Sequence, residues 1–196
     1  MKFPSNVHFH LLGLVIRYPS DFILAEEWAS CQELSLKMQS SSSSWIPVTK
    51  WPMLKKLSVV SVANVIDEHT MPIANGDSFP ILREATLILQ TFDYQSFVSL
   101  VLNSKNLELF NLQLSSNDGI KSFDEEDFSV RLQNLSSLSL RRLYLYCNSN
   151  TAWKRPILPF TSLTRLLEKC SDLIQLTYDL TPLQIQTLKE RHLCPV

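Results

Sequence analysis

The chain has 196 residues, 45% of them hydrophobic and 19% charged, with a formal net charge of −1. That is enough sequence to bury one substantial core, and the charge gives no electrostatic case for a nucleic-acid or anionic-membrane partner. Three glycines, with neither G-x-G-x-x-G nor a Walker loop, exclude the usual phosphate-cradling turns, so no cofactor is expected.

The first 27 residues, with KFPSNVHFHLLGLVIRYP at their centre, read as an N-terminal cap region. Their apolar run from Leu11 to Ile16 is broken by Gly13 and ended by Arg17, well short of the ~20 residues that cross a bilayer. His8 and His10 interrupt it and no small-residue cleavage site follows, so neither secretion nor membrane insertion is expected. Two imidazoles at that spacing share a strand face, but without a third ligand they read as structural.

Next come three short alternating runs. CQELSLKM at 31–38 offers Cys31, Leu34 and Leu36; WPMLKKLSVVSV at 51–62 offers Leu54, Leu57 and Val59; FPILREATLIL at 79–89 offers Leu82, Ala85 and Leu87. The serine run QSSSSSW at 39–45 between the first two reads as a flexible loop. Trp28, Trp45, Trp51 and Trp153 are assigned to packing.

From residue 94 the pattern lengthens. YQSFVSLVLNSKNLELFNLQL at 94–114 and FTSLTRLLEKCSDLIQLTYDL at 160–180 superpose at an offset of 66, Phe97 on Leu163, Leu107 on Leu173 and Phe110 on Leu176. In the second copy Leu163, Leu166 and Leu167 follow a 3.6-residue period, and Leu176, Tyr178 and Leu180 then alternate, which predicts one helix followed by one strand. Between the copies LSLRRLYLYCN supplies Leu140, Leu143 and Leu145. Asp124 is expected to cap a helix through EEDFSVRLQ, whose Glu125, Glu126 and Asp127 suit a solvated helix start. Thr181-Pro182 opens a last helix, LQIQTLKERHL, whose Leu183, Ile185 and Leu188 are expected to cover the end of the stack.

The first core residues of these strands are Leu34, Leu57, Ala85, Phe110, Leu143 and Leu176, at steps of 23, 28, 25, 33 and 33 residues. A helix–strand unit of that length cannot bury its apolar face alone, and stacking copies in parallel gives a continuous core. The expected fold class is α/β: a leucine-rich-repeat solenoid, a right-handed βα superhelix of about six irregular units with its parallel sheet on the concave side. It forms a single domain over 1–196, with a cap region at 1–27, repeats at 28–180 and a capping helix at 181–196.

Cys31, Cys147, Cys170 and Cys194 show no C-x-x-C spacing, which suits a reducing cytoplasm or nucleus and gives no metal site. Cys170, at the corner between helix and strand, reads as a packing residue. No nucleophile, base and orienter are nominated together, so no enzyme is expected; a deep polar pocket gathering His69 or His192 with an acidic residue would argue the reverse.

Strand residues between core positions would face outward along the concave surface. There Arg142, Tyr144 and Tyr146 combine residue types favoured at interface hot spots, beside Asn111 and Gln113 on one side and Thr177 and Asp179 on the other. These seven residues are the candidate partner-binding set, and the expected partner is a protein held on the concave face.

The run Leu163-x-x-Leu166-Leu167-x-x-Cys170-x-x-Leu173-x-x-Leu176 resembles the leucine-rich repeats of F-box proteins. WASCQELSL at 28–36, WPMLKKLSV at 51–59 and FPILREATL at 79–87 are similar to successive units of the F-box families of mushroom-forming fungi. The family's frequent strand-end asparagine recurs only as Asn148, so no asparagine ladder is implied. The resemblance implies the substrate-recognition part of a ubiquitin-ligase receptor. No F-box is found in the N-terminal stretch, so Skp and cullin subunits are expected partners only where an F-box is supplied elsewhere. The alternatives are an interaction scaffold unrelated to ubiquitin, or a truncated gene fragment.

Overall fold

Alternating apolar and polar residues in short runs favour strands buried on one face, and parallel strands need a crossover between them. The computed structural model describes residues 9–16, 31–38, 51–61, 79–115, 119–147, 156–178 and 182–193. The serine run at 39–45, His8, His69, Trp28, Trp45, Trp153, Cys194, Asn148 and Asp179 lie outside them.

Seven strands form one parallel sheet: β1 (Phe9–Ile16), β2 (Cys31–Met38), β3 (Lys56–Ser61), β4 (Glu84–Leu89), β6 (Leu109–Leu114), β8 (Arg142–Cys147) and β9 (Gln175–Tyr178). Their order in the sheet is β1-β2-β3-β4-β6-β8-β9, so each lies beside the strand of this sheet that comes before it in the chain. Two further strands, β5 (Phe92–Asp93) and β7 (Ile120–Lys121), pair in parallel as a separate ladder. The fold is therefore mixed α/β on a parallel sheet. The N-terminal stretch read as a cap region supplies the edge strand β1, paired with β2.

The expected first core residues fall in one registered row. Leu34 pairs with Leu57, Leu57 with Ala85, Ala85 with Phe110, Phe110 with Leu143 and Leu143 with Leu176. A second row runs Leu36, Val59, Leu87, Leu112, Leu145, Tyr178. From β3 to β8 both rows are buried, with Ala85, Phe110 and Leu143 fully so. β3, β4, β6 and β9 are each led in by a tight turn in which a carbonyl accepts from the N–H three residues on: Trp51 from Leu54, Phe79 from Leu82, Ser104 from Leu107 and Cys170 from Leu173. The first member of each turn is buried, which explains why a tryptophan, a phenylalanine, a serine and a cysteine stand at equivalent corners.

Among the described residues four helices accompany the sheet: α1 (Tyr94–Val101), α2 (Glu125–Gln133), α3 (Phe160–Leu167) and α4 (Pro182–Glu190). Asp93 caps α1, accepting from the Ser96 N–H at 2.9 Å, and Asp124 caps α2, accepting from the Asp127 N–H at 2.9 Å. Phe97, Leu100, Leu163 and Leu166 are fully buried, the faces predicted from the 3.6-residue spacing. Between α1, α2 and β6 sits an aromatic cluster. Phe128 lies 5.8 Å from Phe97 and 5.3 Å from Phe123, and Phe97 stands edge-on to Phe110 at 5.9 Å.

One expectation needs correction and another an addition. Among the described side chains of α4 only Leu188 is buried, whereas Leu183 is 77% and Ile185 36% exposed, so the helix covers less than its apolar residues suggested. The acidic start of α2 is exposed at Asp124, Glu125 and Glu126, as expected, and it also makes contacts that the sequence did not suggest. Asp127 accepts from the Tyr94 hydroxyl of α1, and Glu125 accepts from the Thr161 hydroxyl of α3, so the turn ties α2 to both neighbouring helices.

Candidate functional site

One face of the main sheet is packed and the other carries half-exposed side chains at every second position, as period-2 strands dictate. Parallel register sorts this open face into rows. The first runs Glu33, Lys56, Glu84, Leu109, Arg142, Gln175; the second Ser35, Ser58, Thr86, Asn111, Tyr144, Thr177; the third Lys37, Val60, Ile88, Gln113, Tyr146.

The first row is electrostatically matched. Lys56 lies 3.8 Å from Glu33 and 3.6 Å from Glu84, and Arg142 reaches past the Leu109 position to meet Glu84 at 3.7 Å. All four side chains are a third or more exposed, so each contact is worth at most about 1 kcal/mol and serves orientation more than stability. The tyrosines are held in the same way. Tyr144 donates to Gln175 Oε1 at 2.7 Å and Tyr146 to Gln113 Oε1 at 2.9 Å, so neither ring swings freely.

Of the seven candidate residues, six lie together on β6, β8 and β9, and Asp179 lies outside the described residues. Arg142, Tyr144 and Tyr146 alternate along β8; Asn111 and Gln113 face them from β6, and Thr177 faces Tyr144 from β9. Asn111 Oδ1 is shielded from water and accepts no hydrogen bond among the described residues, leaving an acceptor in the middle of the face. Sequence reasoning places Glu84 and Gln175 on the outward face but leaves them out of the binding set, although they fix Arg142 and Tyr144. The signal was available: opposite charges recur at one strand position once the strands are set in register.

Beside this patch, over β2, β3 and β4, the open face dips into a depression of about 220 Å³ lined by Glu33, Ser35, Lys56, Ser58, Glu84 and Thr86. A second hollow of about 230 Å³ lies between α3 and α4. Its arginines are engaged, Arg165 with the Ser129 hydroxyl and Arg191 with Glu168 at 3.6 Å, and its Thr164 and Thr187 hydroxyls donate to their own helices.

In the second hollow the Thr161 hydroxyl donates to Glu125, and no histidine lines either hollow. His192 is exposed, in the left-handed region at φ 56°, and lines neither of them. Burial pushes the Cys170 thiol up to about 12, the opposite of an activated nucleophile. Among the described residues no three His, Cys, Asp or Glu side chains are placed to hold a metal ion, and no helix is long and apolar enough to cross a membrane. The arrangement can present charge, hydroxyls and aromatic surface to a partner.

No protein-family profile matches the chain, and neither a curated protein nor a solved structure is significantly similar to it.

Proposed function

We propose that the chain is an irregular leucine-rich-repeat solenoid acting as a protein-recognition module, with no covalent step. A partner is held on the concave, open sheet face, centred on Arg142, Tyr144 and Tyr146 and flanked by Asn111, Gln113 and Thr177. The observation that carries this reading is the set of orienting contacts across the registered strands. Glu84, Gln175 and Gln113 each fix one of the three β8 side chains at an exposed surface, where such contacts add little stability. Preorganised arginine and tyrosine side chains lose little entropy on binding, which is how a flat surface gains affinity. In this reading the module is the substrate-recognition part of an F-box-like ubiquitin-ligase receptor of the cytoplasm or nucleus, and Skp and cullin subunits join where an F-box is supplied elsewhere.

The test is affinity capture with the chain and with a variant combining Arg142→Glu, Tyr144→Ala and Tyr146→Ala. The variant should lose the captured partner while its melting temperature stays within a few degrees of the parent's. Retention of the partner by a folded variant removes β8 from the site. Recovery of Skp and cullin subunits supports the ligase assignment, and a reproducible partner without them supports a scaffold unrelated to ubiquitin.

A further inference from the structure

The strand entries repeat one hydrogen-bond device. The Lys55 carbonyl accepts from the N–H groups of Arg83 and Glu84, that of Arg83 from Glu108 and Leu109, that of Glu108 from Arg141 and Arg142, and that of Arg141 from Ile174 and Gln175, all at 2.8 to 3.1 Å. In each case the residue just ahead of a strand offers its carbonyl to the entry of the next strand. The next residue in the series is Ile174, and among the described residues no backbone N–H reaches its carbonyl.

Three further observations meet at that edge. The residues ahead of β3, β4, β6 and β8 in this row are polar, Lys55, Arg83, Glu108 and Arg141, whereas Ile174 is apolar and 59% exposed. Leu176 and Tyr178 are only half-buried, while Leu143 and Leu145, their register partners on β8, are almost fully buried. Because the Gln175 N–H is turned toward β8, the alternation of a parallel strand turns the N–H and C=O of Leu176 outward. The opposite edge differs: β1 meets β2 with two register shifts, the kind of irregularity that blunts an edge, whereas β9 meets β8 in unbroken register from Gln175 to Tyr178.

We propose that the β9 edge is a second docking site, independent of the open-face site, and that it takes an extended segment of a partner polypeptide as an eighth parallel strand. The repeated device specifies the occupant. Its first two residues carry free N–H groups, so neither is proline, and both donate to the Ile174 carbonyl. The third and fifth residues are apolar, pack beside Leu176 and Tyr178 and complete the two core rows; the fourth is polar and extends the open face beyond Thr177. This is strand addition with the main chain supplying affinity and alternate side chains supplying specificity.

The probe is an acetylated peptide with the sequence of residues 83–89, REATLIL, which makes these contacts to β3 within the fold. At millimolar peptide, amide hydrogen exchange in residues 174–178 of the full chain should slow by about tenfold or more, with β2 to β6 unchanged. The same peptide N-methylated at its second residue should give no protection. Ile174→Asp, an exposed position whose variant should melt with the parent, should weaken the effect at least about tenfold. No protection at 174–178, equal protection by the methylated peptide, or protection arising without peptide as the chain self-associates would each overturn the proposal. The last outcome assigns the edge to a second copy.

Discussion

Tyr94 of α1 donates its phenolic hydrogen to Asp127 Oδ2 of α2 at 2.7 Å, and the same oxygen accepts from Arg131 Nε at 2.6 Å. The Arg131 hydrogen bond, and after it the Tyr94 hydroxyl, holds the Asp127 carboxyl below its usual value of 3.8. A carboxylate depressed in the folded state adds stability above its unfolded pKa, and loses it as pH falls through the lower folded value. Stability measured by thermal unfolding should therefore fall on acidification below about pH 4. Asp127→Asn should flatten that part of the curve, and an unchanged acid limb in the variant would assign the loss to other carboxylates. Tyr94→Phe, which leaves the Arg131 contact in place, should cost about 1 kcal/mol at neutral pH.

Phe128 is fully buried, and its ring centroid lies within 6 Å of Phe97 and Phe123. Truncation to alanine removes a large apolar side chain from between two helices and the sheet, a change that typically costs about 3–5 kcal/mol. Leu183, 77% exposed, is the matched control, since its replacement by alanine should shift stability by no more than about 0.5 kcal/mol. Urea unfolding of the two variants measures both, and comparable losses would mean that Leu183 is covered in solution.

Gly119 sits at φ +68°, and a Cβ there would stand 3.1 Å from the Pro156 carbonyl oxygen and 3.3 Å from that of Ile157. Both neighbours are backbone and cannot rotate away. Gly119→Ala should therefore destabilise by about 1–3 kcal/mol, through left-handed strain together with crowding. A variant as stable as the parent would show that the segment on either side can shift without loss.

Cys170, whose thiol burial raises to about 12, also donates to the Leu166 carbonyl at 3.2 Å. Native protein treated with iodoacetamide at neutral pH should leave Cys170 unlabelled, and denatured protein should label fully, read by peptide mass mapping. Rapid native labelling at this position would mean that the α3–β9 corner opens readily.

The row from Leu34 to Leu176 was legible in the sequence because a period-2 pattern with strong hydrophobes survives irregular spacing, and parallel pairing turns equal strand positions into neighbours. The cap at Asp124 and the start of α4 at Pro182 were legible because helix-start chemistry is local. The membership of β1 in the sheet was not, since Gly13 and His10 interrupt its alternation and pairing with β2 is what fixes its place. β5 and β7 are too short to leave any periodicity. At the open face, Arg142, Tyr144 and Tyr146 could be placed by counting along one strand, but Glu84 and Gln175 depend on relations across strands. The double tether of the α2 acidic turn likewise requires Tyr94 and Thr161 from helices distant in sequence.

Every interior strand of the main sheet is zipped only to the one before it and the one after it in the chain. Such a network is close to one-dimensional, so a break in one rung is felt by its nearest rungs and fades beyond them. Thermal fraying should start from the two margins and reach last the middle of the array, where Phe97, Phe110 and Phe128 interlock behind β6. That central unit is the natural seed from which growth in both directions assembles the chain.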